Sequence, residues 1–148
     1  MKKFLLATTL FIGSMIYTSA DAQVRVSINA NIGNQPQWGP AGYDYAQFYY
    51  LPDLDMYYDV QAMRFVYFDR GRWVYTRALP VSYRNYDLYG GYKVVINDQR
   101  PFVRHDAYRN QYKRFKNYRN RQMVIRNSHD PRYAPFRNQR NDRVVVIR

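Results

Sequence analysis

The sequence contains no cysteine and no glutamate. The absence of cysteine excludes disulfide bonds and a lipid-modified N-terminal cysteine, so packing must stabilise the fold. The absence of glutamate removes the bidentate ligand of an EF-hand, the base of a zincin and the usual acid of a glycosidase. All eleven acidic residues are aspartates, which favour turns and caps, so the composition favours β structure with short connections.

Residues that could act as nucleophiles are scarce. Beyond residue 22 the only serines are Ser27, Ser82 and Ser128, and the chain has neither a G-x-S-x-G motif nor a glycine-rich phosphate-binding loop. The pairs His105-Asp106 and His129-Asp130 are the best candidate metal ligands. A helix start and a loop are, however, ordinary places for aspartate. We therefore predict that the protein is not an enzyme and holds no metal or cofactor.

The first 22 residues have the layout of a secretory signal peptide. Lys2 and Lys3 precede an apolar stretch at 4–16, and Ala20-Asp21-Ala22 forms an A-x-A cleavage site. The apolar stretch is shorter than the ~20 residues that span a bilayer comfortably. We expect cleavage near Ala22 and export to the periplasm, the cell envelope or the medium. An uncleaved N-terminal anchor is the alternative.

Charge divides the remaining 126 residues, 148 minus 22, into two parts. Residues 23–98 hold seven positive and seven acidic residues and are formally neutral. Residues 99–148 hold fourteen lysines and arginines against three aspartates, a net charge of +11. A localised field of this kind attracts polyanions, so the last third of the chain is the strongest functional signal in the sequence.

The neutral part predicts a strand, a loop and an aromatic-rich β core. VRVSINANI alternates apolar and polar residues, which predicts an N-terminal strand within 23–40. In the Gly/Pro-rich loop that follows, Trp38 is expected either to fold back onto the core or to form an exposed stacking surface. The core at 41–98 contains strand candidates in AQFYYL, DMYYDV, 64–68, 72–78 and 92–96, with a hairpin turn at Asp69-Arg70-Gly71. We predict an α+β fold, mainly β, with a small antiparallel meander or a curled sheet or partial barrel.

Several short motifs of this core occur in a recognisable order. YYLPD, YYD, GRWV, an LP corner, YRNYDLY and GYKVVIND follow one another within residues 48–98. This order resembles a group of small exported, uncharacterised proteins of gram-negative bacteria. The resemblance covers less than half of the chain. It implies export and a compact aromatic-rich domain, and it implies no activity, ligand or site residue.

The basic part, 99–148, predicts one amphipathic helix and one short strand. A helix at about 106–123, with Asp106 as its N-cap, would place four aromatic side chains in one stripe: Tyr108, Tyr112, Phe115 and Tyr118. This stripe is expected to dock on the outer face of the sheet, because doubled tyrosines point to opposite faces of a strand. Beyond 127 the composition is typical of a loop or a disordered segment, and RVVVIR predicts a short C-terminal strand.

The other face of the predicted helix presents the candidate polyanion-binding residues: Arg109, Lys113, Arg114, Lys116, Arg119 and Arg121. After export, the expected partners are an anionic envelope polymer, a phosphorylated glycolipid or an acidic protein. Extracellular nucleic acid would also fit, but chromosomal DNA is a poorer candidate. Two alternatives stay open: a purely structural helix with a solvated charged face, and peripheral attachment to an anionic membrane. The sequence does not indicate the oligomeric state.

Overall fold

The computed structural model describes residues 30–136. The predicted signal peptide at 1–22 and the predicted C-terminal strand RVVVIR lie outside these residues. Most of the predicted N-terminal strand lies outside them as well. Its described end is a 3-10 helix, Ile32–Asn34, so the strand prediction is wrong at that end. There Asn31 accepts a hydrogen bond from Asn34 N (2.9 Å), a turn contact in place of a ladder contact.

Five short strands form one antiparallel sheet: β1 Phe48–Leu51, β2 Met56–Asp59, β3 Arg64–Asp69, β4 Arg72–Thr76 and β5 Val94–Ile96. Their order across the sheet is β4-β3-β2-β1-β5, so β1 to β4 form a meander and β5 returns to pair with β1. The sheet is open and does not close into a barrel. The predicted fold class, α+β and mainly β, is confirmed.

The β3–β4 hairpin turns at the predicted residues. Arg70 and Gly71 both have positive φ, 47° and 81°, which is the conformation of a two-residue type I′ turn. Asp69 and Arg72 are the last paired residues before the turn. The predicted strands at 72–78 and 92–96 are longer than the observed ones, because β4 ends at Thr76 and β5 begins at Val94.

Both faces of the sheet are covered. On one face, here called the tryptophan face, the side chains pack around Trp38 and Leu88: Tyr49, Leu51, Met56, Tyr58 and Phe65. On the opposite face, here called the helix face, Phe102, Tyr108 and Tyr112 cover a second cluster: Phe48, Tyr50, Tyr57, Val66 and Ile96. The doubled tyrosines therefore contribute one ring to each face, as the strand period requires.

One α-helix, α1, spans His105–Tyr112, with 3-10 helices directly before it at Pro101–Arg104 and after it at Lys113–Phe115. Three further 3-10 helices lie at Val81–Tyr83, Ile125–Asn127 and Pro131–Phe136. The last of these falls in the segment whose composition indicates a loop. Among the described residues, no helix has both the length and the apolar character needed to cross a bilayer.

The segment after α1 packs against the N-terminal loop. The main chain of Ala41 donates to Met123 O, that of Ile125 donates to Gly39 O, and that of Arg126 donates to Gln37 O, at 2.9 to 3.0 Å. Val124 and Ile125 are buried in this contact. The basic part of the chain therefore packs on the helix face through α1 and hydrogen-bonds to the N-terminal loop that carries Trp38.

Candidate anion-binding surface

The start of α1 is fixed to the sheet by aromatic contacts. The ring of Phe102 meets the rings of Phe48 and Tyr57 edge-to-face, with centroids 5.5 and 5.3 Å apart, and it lies 5.0 Å from Trp73. On α1 itself, Tyr108 and Tyr112 stack on each other at 6.1 Å and pack on the helix face. Two members of the predicted docking stripe thus contact the sheet directly.

The predicted helix at about 106–123 is too long, because α1 ends at Tyr112. Asn117 and Asn120 have positive φ, 64° and 56°, which stops a right-handed helix. Their main-chain N–H groups donate to Asp53 Oδ1 (2.6 Å) and to Gly90 O (2.7 Å). These tertiary hydrogen bonds replace the helical ones, and asparagine tolerates the left-handed conformation better than most residues.

As a result, the other two stripe residues leave the helix axis and meet Tyr92, next to β5. Phe115 stacks on Tyr92 with centroids 4.4 Å apart and an interplanar angle of 11°. Tyr118 meets Tyr92 edge-to-face at 5.6 Å and remains 46% exposed. We call Tyr92, Phe115 and Tyr118 the aromatic triad. The stripe is therefore divided between the sheet and this triad.

Two of the six predicted polyanion-binding residues are used inside the protein. Arg109 forms an ion pair with Asp55, in the turn between β1 and β2, and Arg119 Nε lies 3.8 Å from Asp53 Oδ2. Burial opposes the ionisation of Asp55, but the hydrogen bonds from Arg109 and Tyr50 outweigh it and lower the pKa of that carboxyl group. These two arginines attach residues 99–136, here called the basic segment, to the β1–β2 turn.

A polar network that the sequence did not reveal surrounds this ion pair. His105 is 8% exposed, and its Nδ1 lies 3.0 Å from the Tyr57 hydroxyl while its Nε2 lies 3.0 Å from Arg109 Nη2. The same Nε2 lies 3.4 Å from Asp55 Oδ1, so the imidazole contacts both members of the ion pair. Burial, followed by the charge of Asp55, raises the pKa of the Tyr57 hydroxyl. The pattern HD in the sequence gives no sign of these contacts.

The other four predicted cations stay exposed: Lys113, Arg114, Lys116 and Arg121. We call these four residues the basic surface. Within residues 30–136 they form no ion pair. The guanidinium of Arg114 lies 4.8 Å from the centroid of Phe115, and that of Arg121 lies 5.6 Å from the centroid of Tyr118.

These contacts give the basic surface a definite geometry. An arginine over a ring loses part of its rotational freedom but keeps the N–H groups at its edge free for a bidentate oxyanion. The aromatic triad supports both arginines, and the two asparagine turns hold the triad. Lys113 and Lys116 add mobile point charges on either side of Phe115. The arrangement is suited to carboxylate or phosphate groups repeated along a polymer.

The described residues also line two grooves. One, of 490 Å³, runs between the β3–β4 hairpin and the start of α1, and its walls include Phe68, Trp73 and Phe102. The other, of 520 Å³, is polar and includes Asp87, Asn120 and Arg126. Neither groove brings together a nucleophile, a base and an orienting group. Among the described residues, no cluster of three or more histidine and acidic side chains could hold a metal ion.

The fold and surface together define an α+β protein with an open antiparallel sheet that carries a basic, arginine-on-ring surface. Comparisons with family models, with curated proteins and with solved structures each find no match to this chain. The resemblance of residues 48–98 to small exported proteins of gram-negative bacteria therefore stays a prediction.

Proposed function

We propose that the protein is an exported, non-enzymatic binding module of the cell envelope that binds anionic polymers through the basic surface. One observation carries the proposal: Tyr108, Tyr112 and Phe115 pack on other rings of the protein, while the four cations of the basic surface stay exposed without an ion pair among the described residues. The signal-peptide pattern supports export, since it predicts cleavage near Ala22.

The charge balance of the segment favours a polyanion over a single small anion. Between residues 99 and 136 ten lysines and arginines stand against Asp106 and Asp130, a net charge of +8 from 10 minus 2. Four of these cations form ion pairs with aspartates, and four more make up the basic surface. Ligands that fit are acidic polysaccharides, phosphorylated glycolipids and acidic proteins, all of which present repeated oxyanions.

Isothermal titration with polygalacturonate, a polymer of carboxylate-bearing sugars, tests the proposal. The first variant replaces Lys113, Arg114, Lys116 and Arg121 by glutamine. The control variant makes the same change in charge at exposed arginines elsewhere: Arg70, Arg77, Arg84 and Arg100. We expect the first variant to lose at least about tenfold in affinity at low salt, and the control to lose much less, because contact charges release the counterions.

Salt provides the second arm of the titration. The affinity of the unaltered protein should fall at least about tenfold between 20 and 200 mM NaCl, and the dependence should weaken in the first variant. Equal losses in both variants would show that net charge alone attracts the polymer, and the basic surface would then have no special role. Absence of binding to polygalacturonate, to phosphorylated glycolipid and to DNA at low salt would contradict the proposal altogether.

A purely structural role for the basic segment is the second candidate. The pairing of Arg109 with Asp55 and of Arg119 with Asp53 favours it, because these ion pairs attach the basic segment to the β1–β2 turn. Peripheral insertion into a membrane is less well supported, since Tyr108 and Tyr112 pack on the helix face. Co-sedimentation with anionic vesicles separates the two. A structural segment leaves the protein in the supernatant, and an inserted one does not.

A further inference from the structure

The two edges of the sheet differ in how their main-chain groups are hydrogen-bonded. At the β5 edge, the side-chain amide of Gln122 pairs with both main-chain groups of Lys93, donating to its oxygen and accepting from its nitrogen at 2.7 Å each. At the β4 edge, residues 30–136 supply no pairing strand, because β4 is the outermost strand of the sheet. An unpaired edge presents a row of free N–H and C=O groups that can template another strand.

The hairpin geometry identifies which groups of β4 are free. In a hairpin with a two-residue turn, the residues that flank the turn, Asp69 and Arg72, form a hydrogen-bonded pair. Bonded and non-bonded pairs alternate along the ladder, so Val74 and Thr76 also direct their main-chain groups toward β3. Trp73 and Tyr75 therefore point both their N–H and C=O groups away from the sheet.

The side chains along this edge offer little protection against pairing. Natural edge strands are usually guarded by a central charge, a proline or a bulge. Residues 73–76 contain none of these. Moreover, Phe68 and Tyr75, on the helix face, are 51% and 48% exposed, although the guanidinium of Arg64 lies 4.5 Å from the Tyr75 ring centroid. The edge thus combines outward-pointing main-chain groups with two half-exposed aromatic rings.

We propose that β4 pairs antiparallel with β4 of a second copy of this chain, with Val74 on the two-fold axis. In this register Trp73 lies opposite Tyr75 of the partner subunit, and Tyr75 lies opposite Trp73 of the partner subunit. Both of these pairs join residues whose main-chain groups point outward, so each forms two hydrogen bonds and the interface forms four. The two five-stranded sheets become one continuous sheet of ten strands.

The register is self-complementary in side chains as well as in main chain. The aromatic pairs lie on one face, where cross-strand rings stabilise a ladder. On the other face, Arg72 lies opposite Thr76 of the partner subunit, so no like charges face each other directly. Registers centred on Trp73 or on Tyr75 also match free groups, but they overlap fewer residues of β4. The interface is small compared with a standard one of about 1,600 Å², so dimerisation should depend on concentration.

Analytical ultracentrifugation of the protein tests the association. We expect the weight-average mass to rise from one chain toward two between about 1 and 200 µM, because a small interface dissociates on dilution. Tyr75→Lys should shift the midpoint by at least about tenfold, since it places a charge on the edge. Tyr83→Lys is the matched control, because Tyr83 is similarly exposed (40%) but lies outside the sheet.

Cysteine substitutions test the register, because the chain has no cysteine of its own. In Val74→Cys the two thiols face each other across the axis in a non-bonded pair, within the range of a disulfide. In Arg72→Cys, on the same face of the same strand, the two thiols lie four residues apart along the strands, about 13 Å. Under mild oxidation we expect Val74→Cys to cross-link readily and Arg72→Cys at least about tenfold less.

Three results of these experiments would contradict the dimer or its register. A protein that stays monomeric at 200 µM overturns the proposed dimer. A dimer that Tyr75→Lys leaves intact places the interface elsewhere. A Tyr75-sensitive dimer in which Arg72→Cys cross-links as well as Val74→Cys overturns the register. The inference does not rest on the proposed anion binding, because β4 and the basic surface share no residue.

Discussion

Lys93 is 1% exposed, and its ammonium group donates to Leu88 O at 2.8 Å and to Tyr89 O at 3.3 Å. The two carbonyl oxygens compensate only partly for the lost hydration of the charge. Burial therefore lowers the pKa of Lys93 from 10.5 to about 8, and the charge of Asp87 opposes the shift. The folded protein binds this proton less tightly than the unfolded chain does.

The pKa shift predicts how the free energy of unfolding depends on pH. Between pH 8 and 10 the unfolded chain keeps the Lys93 proton while the folded protein has lost most of it, so stability from this group rises with pH. The rise should amount to about 2 kcal/mol across that window, and urea unfolding at each pH measures it. In Lys93→Met the rise should disappear.

Lys116→Met is the control for this prediction, because Lys116 is exposed and should leave the rise unchanged. The window ends near pH 10 because buried tyrosines act in the opposite direction above it. Burial raises the pKa of Tyr58 from 10.0 to about 12, so its stabilising contribution is lost as the pH rises above 10. A Lys93→Met variant with an unaltered slope between pH 8 and 10 would assign the slope to other groups.

The 3-10 helix Pro101–Arg104 and α1 form one element that depends on Phe102 for docking. The ring of Phe102 contacts Phe48, Tyr57, Trp73 and Tyr75. We expect Phe102→Ala to reduce the free energy of unfolding by about 2–3 kcal/mol, because it leaves a cavity between this element and the sheet. Urea denaturation followed by tryptophan fluorescence measures the loss, since Trp73 borders the cavity.

Val103→Ala is the neighbouring control. Val103 is 79% exposed, so its truncation removes little buried surface and should change the free energy of unfolding by less than about 0.5 kcal/mol. If Phe102→Ala were as mild as Val103→Ala, the element would contribute little to the stability of the sheet. The structural role of the basic segment would then rest on the ion pairs of Arg109 and Arg119 alone.

At the scale of elements, the sequence is informative where the pattern is local. The β3–β4 hairpin could be predicted because Gly71 satisfies a turn that alternating strands require. The end of α1 could not, because the pattern from Tyr108 to Met123 continues with helical spacing. What ends the helix is a pair of hydrogen bonds to Asp53 and Gly90, far away in the sequence. Such tertiary contacts override local propensity.

The candidate site shows the same division. The four residues of the basic surface could be named as candidates from the sequence, because the sequence shows directly which side chains carry a charge. The sequence did not show which arginines form internal ion pairs, because Asp53 and Asp55 have the pattern of turn residues only. The burial of Lys93 and His105 was equally invisible, since each depends on the way the loop at 87–90 or the helix face closes over it.

For the whole molecule, the balance of charges predicts sensitivity to acid. Hydrogen bonds from Arg104 lower the pKa of Asp98 from 3.8 to about 2, and those from Arg132 lower the pKa of Asp130. A carboxyl group whose pKa is lowered by folding stabilises the protein above its ordinary pKa, and this contribution is lost as the pH falls through the folded value. At that point the 23 lysines and arginines have no counter-charges left.

We therefore expect the melting temperature to fall as the pH is lowered from 6 to 2.5, and circular dichroism measures this change. Addition of 0.5 M NaCl should recover part of the loss at pH 2.5, because salt screens the repulsion among the cations. The same addition at pH 6 serves as the control and should have a smaller effect. A melting temperature independent of pH would show that these ion pairs contribute nothing to stability.

Tyr133 closes the fold from the far end of the described chain. Its ring is fully buried, and its hydroxyl accepts hydrogen bonds from the main chain of Gly42 (2.7 Å) and Tyr43 (3.1 Å), some 90 residues earlier. During synthesis, the loop around Trp38 and the sheet are made before Tyr133, so they lack this ring until residue 133 has been added. A nascent chain that lacks residue 133 cannot complete its core. The hydrogen bonds from Gly42 and Tyr43 to this hydroxyl therefore join two segments that lie far apart in the sequence, and contacts of such long range are slow to form.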